Sequence, residues 1–188
     1  AFVRCLLFSS LLFFFLLALV SIPLQSIAFL LGVLSLTELV ISQLLILVAA
    51  VAYALYGLWC SAAMRTTLAA TVTTFAGMLF VTFGTPLLAG MVTVLGTTFT
   101  IGRVINPLFE ALALYGGLTA AATNLPATLI LSESIFLSED AIFGFTQSTA
   151  TGMIWLFSPW PLFILFHLLA AVALYILIVR RVRRVSDV

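Results

Sequence analysis

Lysine is absent from this 188-residue chain, and charge of any kind is scarce. Only 7% of residues are charged, whereas a soluble globular domain carries about 25%. With 64% hydrophobic residues and a mean hydropathy of +1.36, the composition excludes such a domain. No basic patch exists away from the ends of the apolar runs, so the electrostatic footprint of a nucleic-acid binder is missing. Cysteine is also scarce. Cys5 and Cys60 give no disulfide framework, and with the single His167 they match no metal-ligand spacing. The phosphate-cradling GxxxxGK[ST] pattern is missing, so the chain cannot hydrolyse ATP alone. Asn106 and Asn124 form no glycosylation sequon, and no internal repeat or low-complexity linker is present.

What is present is long apolar sequence. A membrane-spanning helix needs about 20 predominantly apolar residues. Four runs meet that length, at about 5–28, 39–64, 67–88 and 161–179. The first far exceeds a signal-peptide core of about 7–15 residues and reads as a true span. A short break, GVLSLTE, separates it from the second, with Ser35 as N-cap and Glu38 at the capping-box position. Arg65 stops the second run, Pro86 lies near the end of the third, and RRVRR closes the fourth. Trp155 and Trp160 precede the fourth, as in an interfacial aromatic belt.

The few charges are sorted by these spans. Arg4, Arg65, Arg180, Arg181, Arg183 and Arg184 fall on one side, which the retention of arginine near span ends makes cytoplasmic. Glu38, Glu110, Glu133, Glu139 and Asp140 fall on the other, and Arg103 is the one arginine on that wrong side. The segment at about 90–159 is therefore expected to be extracytoplasmic. Its charge-free stretch 111–131 could be a fifth span, but one more crossing would carry the RRVRR tail outside. A pair of short helices lying on or dipping into the outer leaflet fits better, where protein covers the backbone. The expected fold is an all-α polytopic membrane protein with four transmembrane helices and short re-entrant or interfacial helices before the last.

Within the third span Thr67, Thr71, Thr74, Thr82 and Thr85 recur at intervals of 3, 4 or 8 and share one helical face. Ala70, Gly77 and Gly84 form an adjacent small-residue strip, and Leu68, Val72, Phe75, Leu79 and Phe83 take the lipid-facing side. The threonine stripe reads either as a helix-packing or dimer face or as a polar route through the bilayer. In the second span Ala50, Ala54, Gly57 and Ser61 read as packing positions. His167, about two turns inside the last span, is either an intramembrane functional residue or an imidazole satisfied by a neighbouring carbonyl. No nucleophile–base pair or pair of carboxylates lies at bilayer depth, so an enzyme is not expected. An energised carrier usually keeps a carboxylate in a span, and none is there.

The run SIPLQSIAFLLGVLSLTELVISQLLILVAAVAYALYGLWCSAAMRTTLAATVTTFAGMLFVTFGTPLL resembles the middle of a type-2 ABC exporter permease. In that family a Pro-containing stretch leads to a "GGVS-x-x-E" turn, which Gly32, Ser35 and Glu38 match, with Val33 where a second Gly is common. The next span ends "G-L-x-x-S-A-x-x-R-[RT]-T", matched by Gly57, Leu58, Ser61, Ala62, Arg65 and Thr66 or Thr67. Asn106-Pro107 and the arginine-rich tail resemble the family's end. The resemblance implies six spans per subunit, of which this chain holds the last four. The first two and a cytoplasmic coupling helix would precede Ala1.

It further implies a permease subunit in the cell (plasma or inner) membrane, C-terminus cytoplasmic. The partners are a separate ABC ATPase subunit, a second permease subunit in a homo- or heterodimer, and membrane lipid. No cofactor or nucleic acid is involved. Arg65 is then either an ATPase contact or a topology anchor, and Thr74→Leu is expected to impair export without loss of folded protein. The alternatives are a non-transporting membrane scaffold or assembly protein and an ATP-independent carrier.

Overall fold

The computed structural model describes residues 35–88, 90–91, 107–139, 142–149 and 152–186, with isolated positions between 8 and 31. Much of the span expected at 5–28, and the neighbourhood of Arg103, lie outside the described residues. The described chain is mostly helical, in the order α1 (Leu36–Ala63), α2 (Thr67–Leu79), α3 (Pro107–Ala121), α4 (Leu125–Glu139), strands β1 (Gly144–Thr149) and β2 (Gly152–Phe157), and α5 (Pro159–Ser186). Beyond Leu79, α2 runs through a π-helical turn (Phe80–Gly84) and returns to α-helix, so its apolar span is Thr67–Leu88. Among the described residues three helices are long and apolar enough to cross a membrane, Leu36–Ala63, Thr67–Leu88 and Pro159–Val182, or four if the bent pair α3–α4 is one span.

Local chemistry sets the ends of α1. The Ser35 hydroxyl accepts from the Glu38 amide at 3.2 Å, and the Ser35 amide donates to the Glu38 carboxylate at 2.6 Å. This reciprocal capping box supplies partners where a helix start has orphan donors. At the other end Met64 turns extended. The Arg181 guanidinium there donates through Nε to Ala62 O and through Nη2 to Ala63 O, both at 3.1 Å. A cation on the last carbonyls also complements the negative end of the helix dipole.

The chain divides into two compact units, residues 1–78 with 164–188, and residues 79–163. In the first, α1 and α5 share an apolar seam: Leu55, Ala171 and Ile178 are buried, with Val51, Leu58, Trp59, Leu174 and Tyr175 packed around them. In the second, α3 and α4 are 15 residues each, about 22 Å at 1.5 Å per residue and too short to cross a bilayer alone. They are bent 119° apart at the break between Ala121 and Leu125. Residues 111–131 therefore form no straight span; the bent pair is a broken span or a re-entrant turn.

One feature departs from an all-α expectation. Residues 144–157 form an antiparallel hairpin in which Gly144 pairs with Phe157 and Thr149 with Gly152. Gly152 has φ +137°, a conformation that glycine adopts without steric cost. At Gly144 the Trp155 ring lies so close that it leaves no room for a Cβ.

Candidate functional site

Pro86 creates the most consequential irregularity. Proline has no N–H, so within a helix it cannot donate to the carbonyl four residues back, here Thr82. The π-helical turn at Phe80–Gly84 widens the backbone just before it, and the Thr85 amide reaches Phe80 O instead. An unsatisfied carbonyl inside a bilayer costs several kcal/mol, so a donor has to come from elsewhere. The Asn124 side-chain amide supplies it, donating to Thr82 O at 2.5 Å and Val81 O at 3.0 Å. Val81 O also accepts from the Thr85 hydroxyl at 2.6 Å.

Asn124 can do this because it sits at the break between α3 and α4. The new helix starts at Leu125, which places Pro126 in its first turn, where a missing N–H costs no intrahelical bond. Asn124 caps that start: its Oδ1 accepts from the Ala127 amide at 3.2 Å. One side chain thus satisfies a helix N-terminus with its oxygen and a broken span with its nitrogen, at 1% exposure. Thr128, fully buried one turn on, donates to Ala121 O and Asn124 O, both at 2.8 Å. Ser132, one turn further and also buried, leaves its hydroxyl without a hydrogen-bond partner. Asn124, Thr128 and Ser132 therefore make a buried polar line at i, i+4 and i+8.

The threonine stripe divides along the span. Thr71, Thr74 and Thr85 donate to the carbonyls four residues back, at 2.9, 2.8 and 2.6 Å, and Thr73 does the same at 2.8 Å. These hydroxyls keep only acceptor capacity for anything else. Thr67 and Thr71 are exposed, while Thr74, Thr82 and Thr85 are half-buried. Thr74 faces α1, with its methyl 3.7 Å from the position a Cβ on Gly57 would take. Thr82 contributes through its backbone oxygen, held by Asn124.

The small residues serve close approach unevenly. Gly77 lies beneath Tyr56, whose hydroxyl takes the place a Cβ would need and donates to Thr73 O at 3.3 Å. Gly84 lies beneath the Phe80 ring in the π-helical turn. Ala50, Ala54 and Gly57 are half-buried, and Ser61 is exposed. The deeply buried line of α1 is the neighbouring one through Leu45, Ala49, Ala52 and Leu55. Arg65 is exposed in the turn after α1. His167 is buried edge-on against Tyr53, ring centroids 6.1 Å apart.

Asn124 is the site residue that sequence reasoning missed. A signal was available: Pro86 inside an apolar run leaves a carbonyl in need of a donor, and an asparagine followed by Leu-Pro is a ready cap. Chemically, the cluster of Asn124, Thr128, Ser132 and the Thr82 carbonyl holds no nucleophile–base pair or titratable group. It can fasten, release and hydrogen-bond. No family model, curated protein or solved structure matches the chain.

Proposed function

We propose that this chain is the membrane-spanning permease part of an ABC-type exporter, forming the translocation path while a separate ATPase supplies the energy. The observation that carries the reading is the broken span at Val81–Pro86 clasped by Asn124 of the bent helix pair. Transporters commonly build substrate paths from discontinuous helices whose freed carbonyls face protein or a polar cavity. The ends of α1 add support, because the capped Ser35–Glu38 turn and the Arg65 turn stand at opposite ends of one helix, as in the resembling family.

In this reading Arg65 and the Arg180–Arg184 tail face the cytoplasm, and the α3–α4 pair dips into the outer leaflet. ATP binding closes a pair of ATPase subunits. Their motion passes to the spans of two permease subunits, and the break at Pro86 opens or closes the outer end of the route. Arg65, carried on the turn that Arg181 fastens, is the ATPase-side contact. The permease makes and breaks no covalent bond.

Purification of the full-length protein in mild detergent, with mass spectrometry of its stoichiometric companions, tests this. An ATPase bearing a phosphate-binding loop is expected, and Arg65→Glu is expected to reduce its recovery. Reproducible absence of any ATPase from folded, inserted protein overturns the exporter reading in favour of a scaffold. Transport that persists without nucleotide overturns it in favour of an ATP-independent carrier.

A further inference from the structure

The hairpin at residues 144–157 is held at the head of α5. The Ser158 amide donates to Phe143 O at 2.9 Å, and the Trp160 indole N–H donates to Ile142 O at 2.8 Å. The Phe143 and Trp160 rings lie against each other with centroids 5.5 Å apart. From the other side the Tyr115 hydroxyl of α3 donates to Trp155 O at 2.5 Å, and its ring stacks on Phe157 at 5.8 Å. The base of the hairpin therefore cannot stray far from the first turn of α5.

Length and composition give that turn an expected place relative to lipid. From Pro161 to Val179 the helix is apolar, and at 1.5 Å per residue this length matches a hydrocarbon core of about 30 Å. Arg180 closes one end, so Pro159 and the hairpin base lie at the opposite membrane–water boundary. What the hairpin presents there is unsuited to water. Met153 is 83% exposed and Trp155 57% on one face of β2, and Phe143, just before β1, is 65% exposed. The opposite face turns inward through Leu156, which is 1% exposed. No Asp, Glu, Lys or Arg occurs between Asp140 and Arg180, although a hairpin exposed to water ordinarily carries charge on its edges. A lone two-stranded hairpin is also marginal in water.

We propose that this hairpin is a membrane-interface anchor, with Met153, Trp155 and Phe143 seated at the boundary between the headgroups and acyl chains of the leaflet where α5 begins. Its occupant is phospholipid, recognised through apolar contact and the amphipathic indole rather than through charge. On the same face, the exposed Thr146 and Ser148 stand across from Trp155 and Met153 and supply hydroxyls to headgroup oxygens. Anchoring at this boundary holds the hairpin, and through Tyr115 the α3 helix, at constant depth. The proposal stands whether or not the chain is an exporter.

The test uses the full-length protein in phosphatidylcholine vesicles whose acyl chains are brominated at shallow or deep positions. Trp155 is isolated as the fluorescence difference between wild type and Trp155→Phe. Stronger quenching by shallow bromine than by deep bromine, with weak quenching by aqueous acrylamide, is expected. The result is expected to be unchanged when anionic lipid or salt is added. Acrylamide quenching without bromolipid quenching places the hairpin in water and overturns the proposal. Absence of both places it beneath protein and overturns it equally. A nitroxide on Met153→Cys, in a background with both native cysteines replaced (Cys5→Ser and Cys60→Ala), gives a second reading. Greater accessibility to oxygen than to a polar nickel chelate is expected there, and the reverse order overturns the anchor.

Discussion

The two halves of the span Thr67–Leu88 solve the same problem in opposite ways. Up to Met78 the helix is self-sufficient. Its carbonyls are taken by its own amides and, at Thr67, Ala69 and Ala70, by its own threonine hydroxyls as well. It meets α1 through shape, with Thr74 against Gly57 and Gly77 beneath Tyr56. Beyond Leu79 the helix is dependent. Pro86 and the π-helical turn strip it of a donor, and a residue 42 positions away in sequence supplies one. The first half is held by van der Waals fit and tolerates loss of a hydroxyl, whereas the second draws on a side chain from outside the span, Asn124, beside its own Thr85. A rigid stretch and a fastened break within one span suit an element that moves at one end only.

Breaking the fastener is expected to have the largest effect. Asn124→Leu leaves the Thr82 carbonyl without its donor and the Val81 carbonyl with the Thr85 hydroxyl alone, and is expected to cost roughly 2–4 kcal/mol in equilibrium unfolding from bicelles. In a Pro86→Ala background, where residue 86 regains an N–H for Thr82 O, the same change should cost less. Equal cost in both backgrounds would mean that Asn124 acts as a helix cap and not as a clasp.

Gly77→Ala comes next, because its Cβ drives Tyr56 from Thr73 O and from its stack on Trp59, 6.2 Å between ring centroids. A loss of about 1–3 kcal/mol is expected, shrinking when Tyr56→Leu is already present. A cost that ignores the identity of residue 56 would break the account of the first half as a shape-fitted contact.

The smallest effect belongs to the hydroxyls. Thr71→Val and Thr74→Val remove bonds the helix makes to itself and are each expected to change stability by about 0.5 kcal/mol or less. Export measured on these two variants also separates route from packing better than Thr74→Leu does, since leucine would press on Gly57. Lost export with stability retained would favour the polar-route reading of the stripe.

Legibility followed the range of the interactions involved. The capping box at Ser35 and Glu38 was readable because both partners lie within one helical turn, and the ends of the apolar runs were readable because charge cannot be buried in lipid cheaply. Exposure of Leu68, Val72, Phe75, Leu79 and Phe83, each above half, follows from the same periodicity. Ser61 shows the limit of that reasoning. It lies on the helical line of Ala50, Ala54 and Gly57, yet it is exposed, because which line of small residues a neighbour covers depends on where that neighbour crosses. The hairpin was obscured for a related reason: GFTQST alternates weakly, and two strands gain register only by pairing with each other.

The sequence by itself determined that this is a helical chain with apolar runs long enough to cross a membrane, where those runs stop, and where α1 is capped. Each of these depends on composition or on partners a few residues apart. The tertiary structure alone decided that Asn124 clasps the broken span, that Gly77 receives Tyr56, that Arg181 fastens the end of α1, and that residues 144–157 pair as a hairpin. Those contacts join residues distant in the chain, and a polar group left unpaired by local geometry accepts whichever donor the packing brings to it.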